Sequence, residues 1–285
     1  THNISISALE RKLFESKKNN TLPKVIIPVH FAGLSCEMDR IKELSIEFGF
    51  KIIEDASHAI GAKYKNEYVG SCKWSDIAIF SFHPVKIITS GEGGMAITNN
   101  EELSIRMQLL RTSGITKEIN HFETKEIIPP WYYEQIMLGF NYRMNDIQAA
   151  LGLSQLKKLN LFIQKRNQIA QRYNDYFSGF DLQLPLGNRD YLSSFHLYVI
   201  LLNKDTSPEK HRELFTSIQL EKIGVNLHYM PIYLQPFYRK LGFKKGLCPV
   251  SENYSRRAIS LPIFPGLSLN EQERVTSVIT RLVNE

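Results

Sequence analysis

Residues 24 to 55 read KVIIPVHFAGLSCEMDRIKELSIEFGFKIIED, and the order of patterns in these residues points to the fold class. The first seven residues are mostly apolar and of strand length, residues 38–48 have apolar positions at helical spacing, and residues 51–55 are strand-like again. Strand, helix and strand in this order are typical of an α/β unit with parallel strands. We therefore predict a buried strand over residues 24–30 and a second strand that ends at Asp55.

The same alternation continues on both sides of these residues. Strand-like runs at 77–82 and 94–98 extend the sheet, and a further strand is predicted at 197–202. The polar, aromatic-rich residues 114–137 predict an exposed loop or a partner contact. Helices are predicted at 7–17, 100–111, 208–219 and 269–283, with one nearly continuous helix at 144–171 whose apolar stripe is Ala149, Ala150, Leu153 and Leu156.

Composition narrows the class of protein. With 285 residues, 43% of them hydrophobic, the chain is long enough for two lobes, since domains usually hold about 100 to 200 residues. The net charge of +6 is scattered, which argues against nucleic acid and suits a small anionic ligand. Three widely spaced cysteines predict neither a disulfide framework nor a zinc site. The sequence has neither an apolar run of bilayer length nor a secretory signal pattern, so we expect a cytoplasmic protein without a membrane partner.

Three local features carry chemistry, and each has a plainer alternative. Asp55 ends a strand, where open α/β sheets collect ligands, but it could equally cap a helix. Lys86 follows the mostly apolar run Phe80-Ser-Phe-His-Pro-Val and would be a desolvated, nucleophilic amine, or simply a surface lysine. Ser90-Gly-Glu-Gly-Gly94 can fold tightly beneath a bound group, or form an ordinary turn.

The order and spacing of these segments resemble a known family. Asp55-Ala-Ser-His-Ala-Ile-Gly61, then Phe80 to Lys86, then Gly91-Glu-Gly-Gly94 are similar to the DegT/DnrJ/EryC1/StrS-type sugar-nucleotide aminotransferases. The resemblance continues through residues 139–146 and 227–231 and so covers essentially the whole chain. It implies the α/β type I pyridoxal-phosphate fold, with a mostly parallel large domain over residues 1–155 and a smaller α+β domain over 156–285.

The resemblance also implies roles for single residues. Lys86 would carry pyridoxal 5'-phosphate as a Schiff base, Asp55 would pair with the ring nitrogen, and His58 would lie beside the ring oxygen. Ser81 would bind the cofactor phosphate, and Asn141 would reach that phosphate from a second subunit of a homodimer. Contacts to the sugar or its diphosphate are expected from Asn226, His228 and Tyr229, although a lone histidine is more often structural.

The implied reaction moves an amino group from glutamate to a keto-sugar bound to its nucleotide. Members that remove a hydroxyl instead have His at the lysine position, so Lys86 argues against dehydration. The sequence around Lys86 and in residues 131–143 is most similar to the pseudaminic-acid branch of the family. That branch contributes to a surface glycan, and the resemblance implies a UDP-linked 4-keto-6-deoxy-N-acetylhexosamine as the acceptor. Another member of the family and a non-catalytic paralogue that acts as an interaction protein are the alternatives.

The start of the sequence is a further expectation. The chain begins without Met, inside a helical pattern, and its first strand-like run comes only at Val25. This suggests that a large-domain segment precedes residue 1. The resemblance implies that such a segment holds a Gly-Thr turn for the phosphate and an aromatic residue that stacks on the ring.

Overall fold

The computed structural model describes residues 1–124, 128–185, 187 and 190–284. The helices in these ranges are α1 Ile6–Lys18, α2 Met38–Phe48, α3 Glu101–Arg111, α4 Asp146–Leu156, α5 Leu159–Phe177, α6 Pro208–Leu220, α7 Pro236–Lys240, α8 Pro249–Ser255 and α9 Leu269–Asn284. The strands are β1 Val25–Ile26, β2 Lys51–Asp55, β3 Lys63–Tyr64, β4 Glu67–Tyr68, β5 Ile77–Ser81, β6 Gly94–Ile97, β7 Ile115–Thr116, β8 Glu134–Gln135, β9 Tyr191–Leu192, β10 Tyr198–Leu201 and β11 Ala258–Leu261. Among these helices, none is both long and apolar enough to cross a bilayer.

The main sheet has the strand order β1-β2-β5-β6, and helix α2 connects its first two strands. β1 pairs with β2 and β2 pairs with β5 in parallel, whereas β6 returns antiparallel to β5. Gly49 ends α2 in the left-handed conformation at φ +78°, which glycine adopts without strain, and the chain then enters β2. The predicted α/β class and mostly parallel sheet are confirmed, with one antiparallel edge strand.

Two separate hydrophobic cores lie in the two halves of the chain. One packs α1 and α2 against the main sheet, around Ile41 and Ile52. The other encloses the antiparallel pair β10–β11 between α5, α6 and α9, around Tyr173 and Ile259. β9 pairs with β3, so a short strand after residue 156 joins the first half. The domain division at 155/156 stays a prediction.

The predicted buried strand over residues 24–30 is wrong in length and in burial. Only Val25–Ile26 is a strand, and the side chains of Val25, Ile27 and Val29 are exposed. β1 is the edge strand of the sheet, and Pro28 has no N–H to continue the ladder. An apolar run therefore does not by itself separate a central strand from an edge strand.

The predicted continuous helix at 144–171 is two helices with a break at Lys157 and Lys158. Asn145 starts α4 through a capping box with Gln148, and the N–H of Lys158 bonds to the carbonyl of Gln155 in a tight turn before α5. The expected apolar stripe is largely exposed, since no side chain of α4 is buried. The other predicted helices are confirmed within a few residues.

Residues 114–137 are mostly an irregular segment with the small β7–β8 pairing, as the composition indicated. Residues 125–127 of that prediction lie outside the described residues.

Candidate active site

Two strand ends meet at one edge of the main sheet. β2 ends at Asp55 and β5 ends at Ser81, and the two strands run parallel with Asp55 beside Ile79. The backbone of Asp55 is fixed on the β1 side, because its N–H donates to Pro28 O at 2.9 Å and its carbonyl accepts from His30 N–H at 3.1 Å. The half-buried Asp55 carboxylate accepts from the N–H of Ser57 at 3.1 Å. Its position is thus set by strand pairing and leaves room for a ligand.

Lys86 lies in the turn that follows β5. Its N–H donates to His83 O at 3.0 Å, and Ile87 and Ile88 directly after it are buried, which anchors the turn. Burial lowers the pKa of Lys86, and the nearby Asp55 carboxylate opposes that shift. A larger fraction of this amine is therefore neutral and nucleophilic than at a surface lysine.

The glycine loop closes beneath this turn. Phe82 N–H donates to Gly93 O at 2.9 Å, and Ser90 Oγ donates to Glu92 O at 2.8 Å. Gly93 has φ +157°, and a Cβ there would collide with Ser90 Oγ and with the Met144 side chain. Only glycine suits this position, so the loop is as tight as the sequence predicted.

His58 is buried beside Asp55 and Lys86. Its Nδ1 accepts from Ala32 N–H at 3.4 Å, and its Nε2 lies 3.5 Å from the Tyr229 hydroxyl. Burial first and the Lys86 charge second lower the pKa of His58, to about 4, against the opposing effect of the Asp55 carboxylate. His58 is therefore a neutral imidazole at neutral pH.

His228 and Tyr229 approach from the second half of the chain. His228 Nδ1 lies 2.8 Å from Ser260 Oγ of β11, and the Tyr254 hydroxyl donates to the His228 carbonyl at 2.7 Å. Burial and then the Lys86 charge lower the pKa of His228, whereas burial and the Asp55 carboxylate raise the pKa of Tyr229. These side chains share one electrostatic environment with Asp55, His58 and Lys86, and their contact with a substrate stays a prediction.

Three expected residues have looser connections to this group. Ser81 Oγ, at the end of β5, accepts from the N–H of His83 at 3.4 Å. Asn226 is exposed, and its side-chain oxygen accepts from the adjacent Leu227 N–H at 2.8 Å. Asn141 is exposed, and among the described residues no hydrogen bond joins its side chain to Asp55, His58 or Lys86. The role of Asn141 at the site of a second subunit stays a prediction.

Sequence reasoning missed His196, which lies against His58 with ring centroids 4.4 Å apart. Burial lowers the pKa of His196 to about 2, and the charges of His58 and Lys86 act in the same direction. The polar-aromatic run Ser193-Ser-Phe-His196, directly before the strongest apolar strand, was the available signal. The contact of His196 with His58 joins distant parts of the chain, so the sequence pattern alone did not identify it.

Comparison with known proteins defines the class. The chain is 38% identical over 284 residues to the UDP-4-amino-4,6-dideoxy-N-acetyl-beta-L-altrosamine transaminase of Campylobacter jejuni, covering 99% of this chain and 71% of that protein. It superposes on Helicobacter pylori PseC, an aminotransferase involved in the biosynthesis of pseudoaminic acid, with a TM-score of 0.88, 32% identity, and 99% and 71% of the two chains covered.

A third similar structure is the pyridoxal-phosphate form of the sugar aminotransferase Spr1654 of Streptococcus pneumoniae, with a TM-score of 0.84, 27% identity, and 100% and 73% of the two chains covered. Fold and relatives together define a transaminase that depends on pyridoxal phosphate. The model of the DegT/DnrJ/EryC1/StrS aminotransferase family matches residues 1–280, and the chain belongs to that family.

The side chains at the site fit this cofactor. Pyridoxal phosphate needs an amine that reacts with an aldehyde, an acid for the ring nitrogen, and a polar partner for the ring oxygen. Lys86 has the lowered pKa, Asp55 is a half-buried carboxylate within its electrostatic reach, and His58 is a neutral imidazole beside both. Among the described residues there is no cluster of three or more His, Cys, Asp or Glu side chains suited to a metal ion.

Proposed function

We propose that this protein transfers an amino group from glutamate to the C4 keto group of a UDP-linked 4-keto-6-deoxy-N-acetylhexosamine, in the cytoplasmic synthesis of pseudaminic acid for a surface glycan. The observation that carries the proposal is the convergence of Lys86, Asp55 and His58 with His228 and Tyr229 at one sheet edge. The similarity to the altrosamine transaminase and to PseC supports the choice of sugar.

Each side chain has a separate task in this proposal. When bound, pyridoxal phosphate supplies an aldehyde that carries the amino group and a ring that accepts electrons. Lys86 Nζ would anchor the cofactor and, once released, would move a proton between the substrate carbon and the cofactor carbon, accepting it at one and delivering it to the other, which a lowered pKa favours. The Asp55 carboxylate holds a proton on the ring nitrogen by charge pairing.

The remaining assigned residues orient the cofactor and the substrate. His58 has its Nδ1 engaged by the Ala32 N–H, so its Nε2–H is the group that faces the ring oxygen. Ser81 binds the cofactor phosphate from the end of β5. Asn226, His228 and Tyr229 border the sugar nucleotide from the second half of the chain.

A homodimer completes the site in this proposal, with Asn141 reaching the partner's phosphate. The segment around Asn141 carries a large exposed apolar surface, with Leu138 88% and Ile147 84% exposed in the single chain. Exposed apolar patches of this kind mark protein interfaces. We expect Ile147→Asp to give a monomer in light-scattering chromatography and to lose most activity, while Ile46→Asp, an equally apolar exposed site on α2, leaves the assembly unchanged.

Chemical labelling tests the anchor. Incubation with pyridoxal phosphate and borohydride should fix the cofactor to Lys86, which peptide mass spectrometry would locate. Labelling of another lysine, or of none, would overturn the assignment of Lys86 and favour a non-catalytic paralogue.

A substrate panel tests the reaction. With glutamate as donor, 4-keto-6-deoxy UDP-N-acetylhexosamines should be aminated faster than 3-keto sugars or a 4-keto UDP-pentose. If only one of the latter is converted, the protein is another sugar aminotransferase of the same family and the pathway proposed here is wrong.

A further inference from the structure

Residues 193–197 connect β9 to β10 and pack against two loops of the first half of the chain. Ser194 Oγ donates to the carbonyl of His58 at 2.8 Å, and Ser194 N–H donates to Gly33 O at 3.0 Å. Gly33 has φ +98°, and a Cβ there would lie 2.9 Å from Phe195 N and 3.0 Å from His58 O. This segment, named the 193–197 connector here, is thus in direct backbone contact with the loop that holds His58.

The buried guanidinium of Arg166 fastens the connector to the carboxyl-terminal core. Its Nη1 donates to Phe195 O and to Ile263 O, both at 2.9 Å. A buried guanidinium is costly unless its N–H groups have partners; here Nη1 has these carbonyl partners, whereas Nε has none in the described structure. The connector therefore cannot shift without disturbing the core behind it.

His196 presents its ring directly to His58. The two ring planes are tilted by 44° with centroids 4.4 Å apart, and each side chain is only 7% exposed. The Ala32 N–H donates to His58 Nδ1, which places the proton of the neutral ring on Nε2, toward the Tyr229 hydroxyl. The His196 ring therefore lies in contact with one side of the His58 ring.

We propose that His196 is a positioning residue, whose planar ring holds the His58 imidazole with Nε2–H toward the cofactor pocket. This inference rests on the proposed contact of His58 with the cofactor. In this arrangement the 193–197 connector ties His58 to the carboxyl-terminal core through Ser194 and Arg166.

Space filling alone does not account for a histidine here. Nδ1 of His196 is buried without a hydrogen-bond partner in the described structure, which is unfavourable. Leucine would fill a similar volume without that cost. What leucine lacks is the flat ring that meets the flat ring of His58.

The groups that face the two rings have to be counted in any titration. Charged and titratable side chains from several elements, in both halves of the chain, surround the His58 and His196 rings. These groups are Asp55, Lys86, His228 and Tyr229 around His58, and Lys86, Arg166 and His228 around His196.

The test compares His196→Leu, which fills space, with His196→Phe, which keeps a flat ring. The full-length chain is labelled with ¹⁵N-histidine, and the ring nitrogens of His58, identified by their loss in His58→Gln, report its tautomer without cofactor. We expect the leucine variant to lose the single Nε2–H tautomer and to bind pyridoxal phosphate about 3- to 10-fold more weakly, roughly the worth of one hydrogen bond. The phenylalanine variant should match the wild type in both measurements.

His211→Leu is the matched control, since His211 lies in the same half of the chain with its Nε2 3.1 Å from Ala258 O. It should leave the His58 signals unchanged. If His196→Leu fails to fold, Ser194→Ala, which removes the bond to the His58 carbonyl, should move the His58 signals in the same direction.

An unchanged His58 tautomer in the leucine variant, or equal losses in the leucine and phenylalanine variants, would overturn the inference. Neither result would touch the labelling of Lys86, so the proposed function is tested separately.

Discussion

Glu54 and Asp55 are neighbours on β2, yet the fold uses their carboxylates in opposite ways. Glu54 is buried, with Oε2 2.9 Å from His30 Nε2 and a further hydrogen bond from Ser75. His30 in turn accepts the N–H of Cys36 at 3.0 Å. Among the described residues, the half-buried Asp55 side chain accepts one hydrogen bond, from Ser57.

The difference follows from strand geometry. Successive side chains of a strand point to opposite faces of the sheet. The Glu54 side chain therefore enters the core, and the Asp55 side chain lies on the other face, toward Lys86. A carboxylate whose hydrogen bonds are all made inside the protein stabilises the fold. One with free acceptor sites beside a reactive amine is available to a ligand.

The largest expected effect is on catalysis, at the site that contains Asp55 and Lys86. Lys86→Ala should lower kcat/KM by at least about 10³-fold, because it removes both the anchor and the proton carrier. The free energy of unfolding should change little, since the amine is only half-buried. Lys73→Ala, an exposed lysine 2.7 Å from Glu67, is the control and should keep full activity. Retained turnover in Lys86→Ala would contradict the assignment of Lys86 as the reactive amine beside Asp55.

Asp55→Asn should lower kcat by about 10²-fold while leaving the fold intact, since the amide oxygen still accepts from Ser57 N–H. The Asp55 charge now opposes the lowering of the Lys86 pKa, so its removal should lower that pKa further. The acidic limb of the pH-rate profile, where the Lys86 amine becomes protonated, should move to lower pH. A profile identical to wild type would mean that the two groups are not coupled.

Glu54→Gln should lower the stability of the fold and leave turnover nearly unchanged, the reverse of Asp55→Asn. The amide places an N–H₂ where His30 or Ser75 also donates, which should lower the free energy of unfolding by about 1–3 kcal/mol. Turnover per folded molecule should stay within about threefold of wild type, because Glu54 does not face the site. Urea denaturation measures the first and active-site titration the second, with exposed Glu47→Gln as the control. A loss of turnover without a loss of stability would contradict the division of roles.

A further expected effect is a dependence of stability on pH. His58 has a folded pKa of about 4 and His196 of about 2, both below the unfolded value of 6.5. The unfolded chain then binds more protons below pH 6.5, so stability is complete above that pH and falls as the pH drops toward 4. The slope should be about 1.4 kcal/mol per pH unit for each histidine involved. His58→Gln should reduce the slope by the share of one histidine, whereas His121→Gln, at a half-buried histidine outside the site, should leave it unchanged, as denaturation at several pH values would record.

Much of the first half was predictable because its patterns are local. The strand that ends at Asp55, the turn that holds Lys86 and the helix between the first two strands depend on residues close together in the chain. The exposure of Val25 and the break between α4 and α5 were not predictable in this way. Both depend on which neighbours each element meets, and an apolar run has the same composition at an edge as in a core.

The sequence alone determined the order of the elements, the class of chemistry and the pair Asp55 and Lys86, because parallel strands bring their carboxyl ends to one edge. Only the tertiary structure brought Ser194 to His58, 136 positions away in the chain, and with it the ring of His196. Spacing along the chain carries no information about such contacts. They are made where the connector between β9 and β10 is fixed against both halves by buried hydrogen bonds.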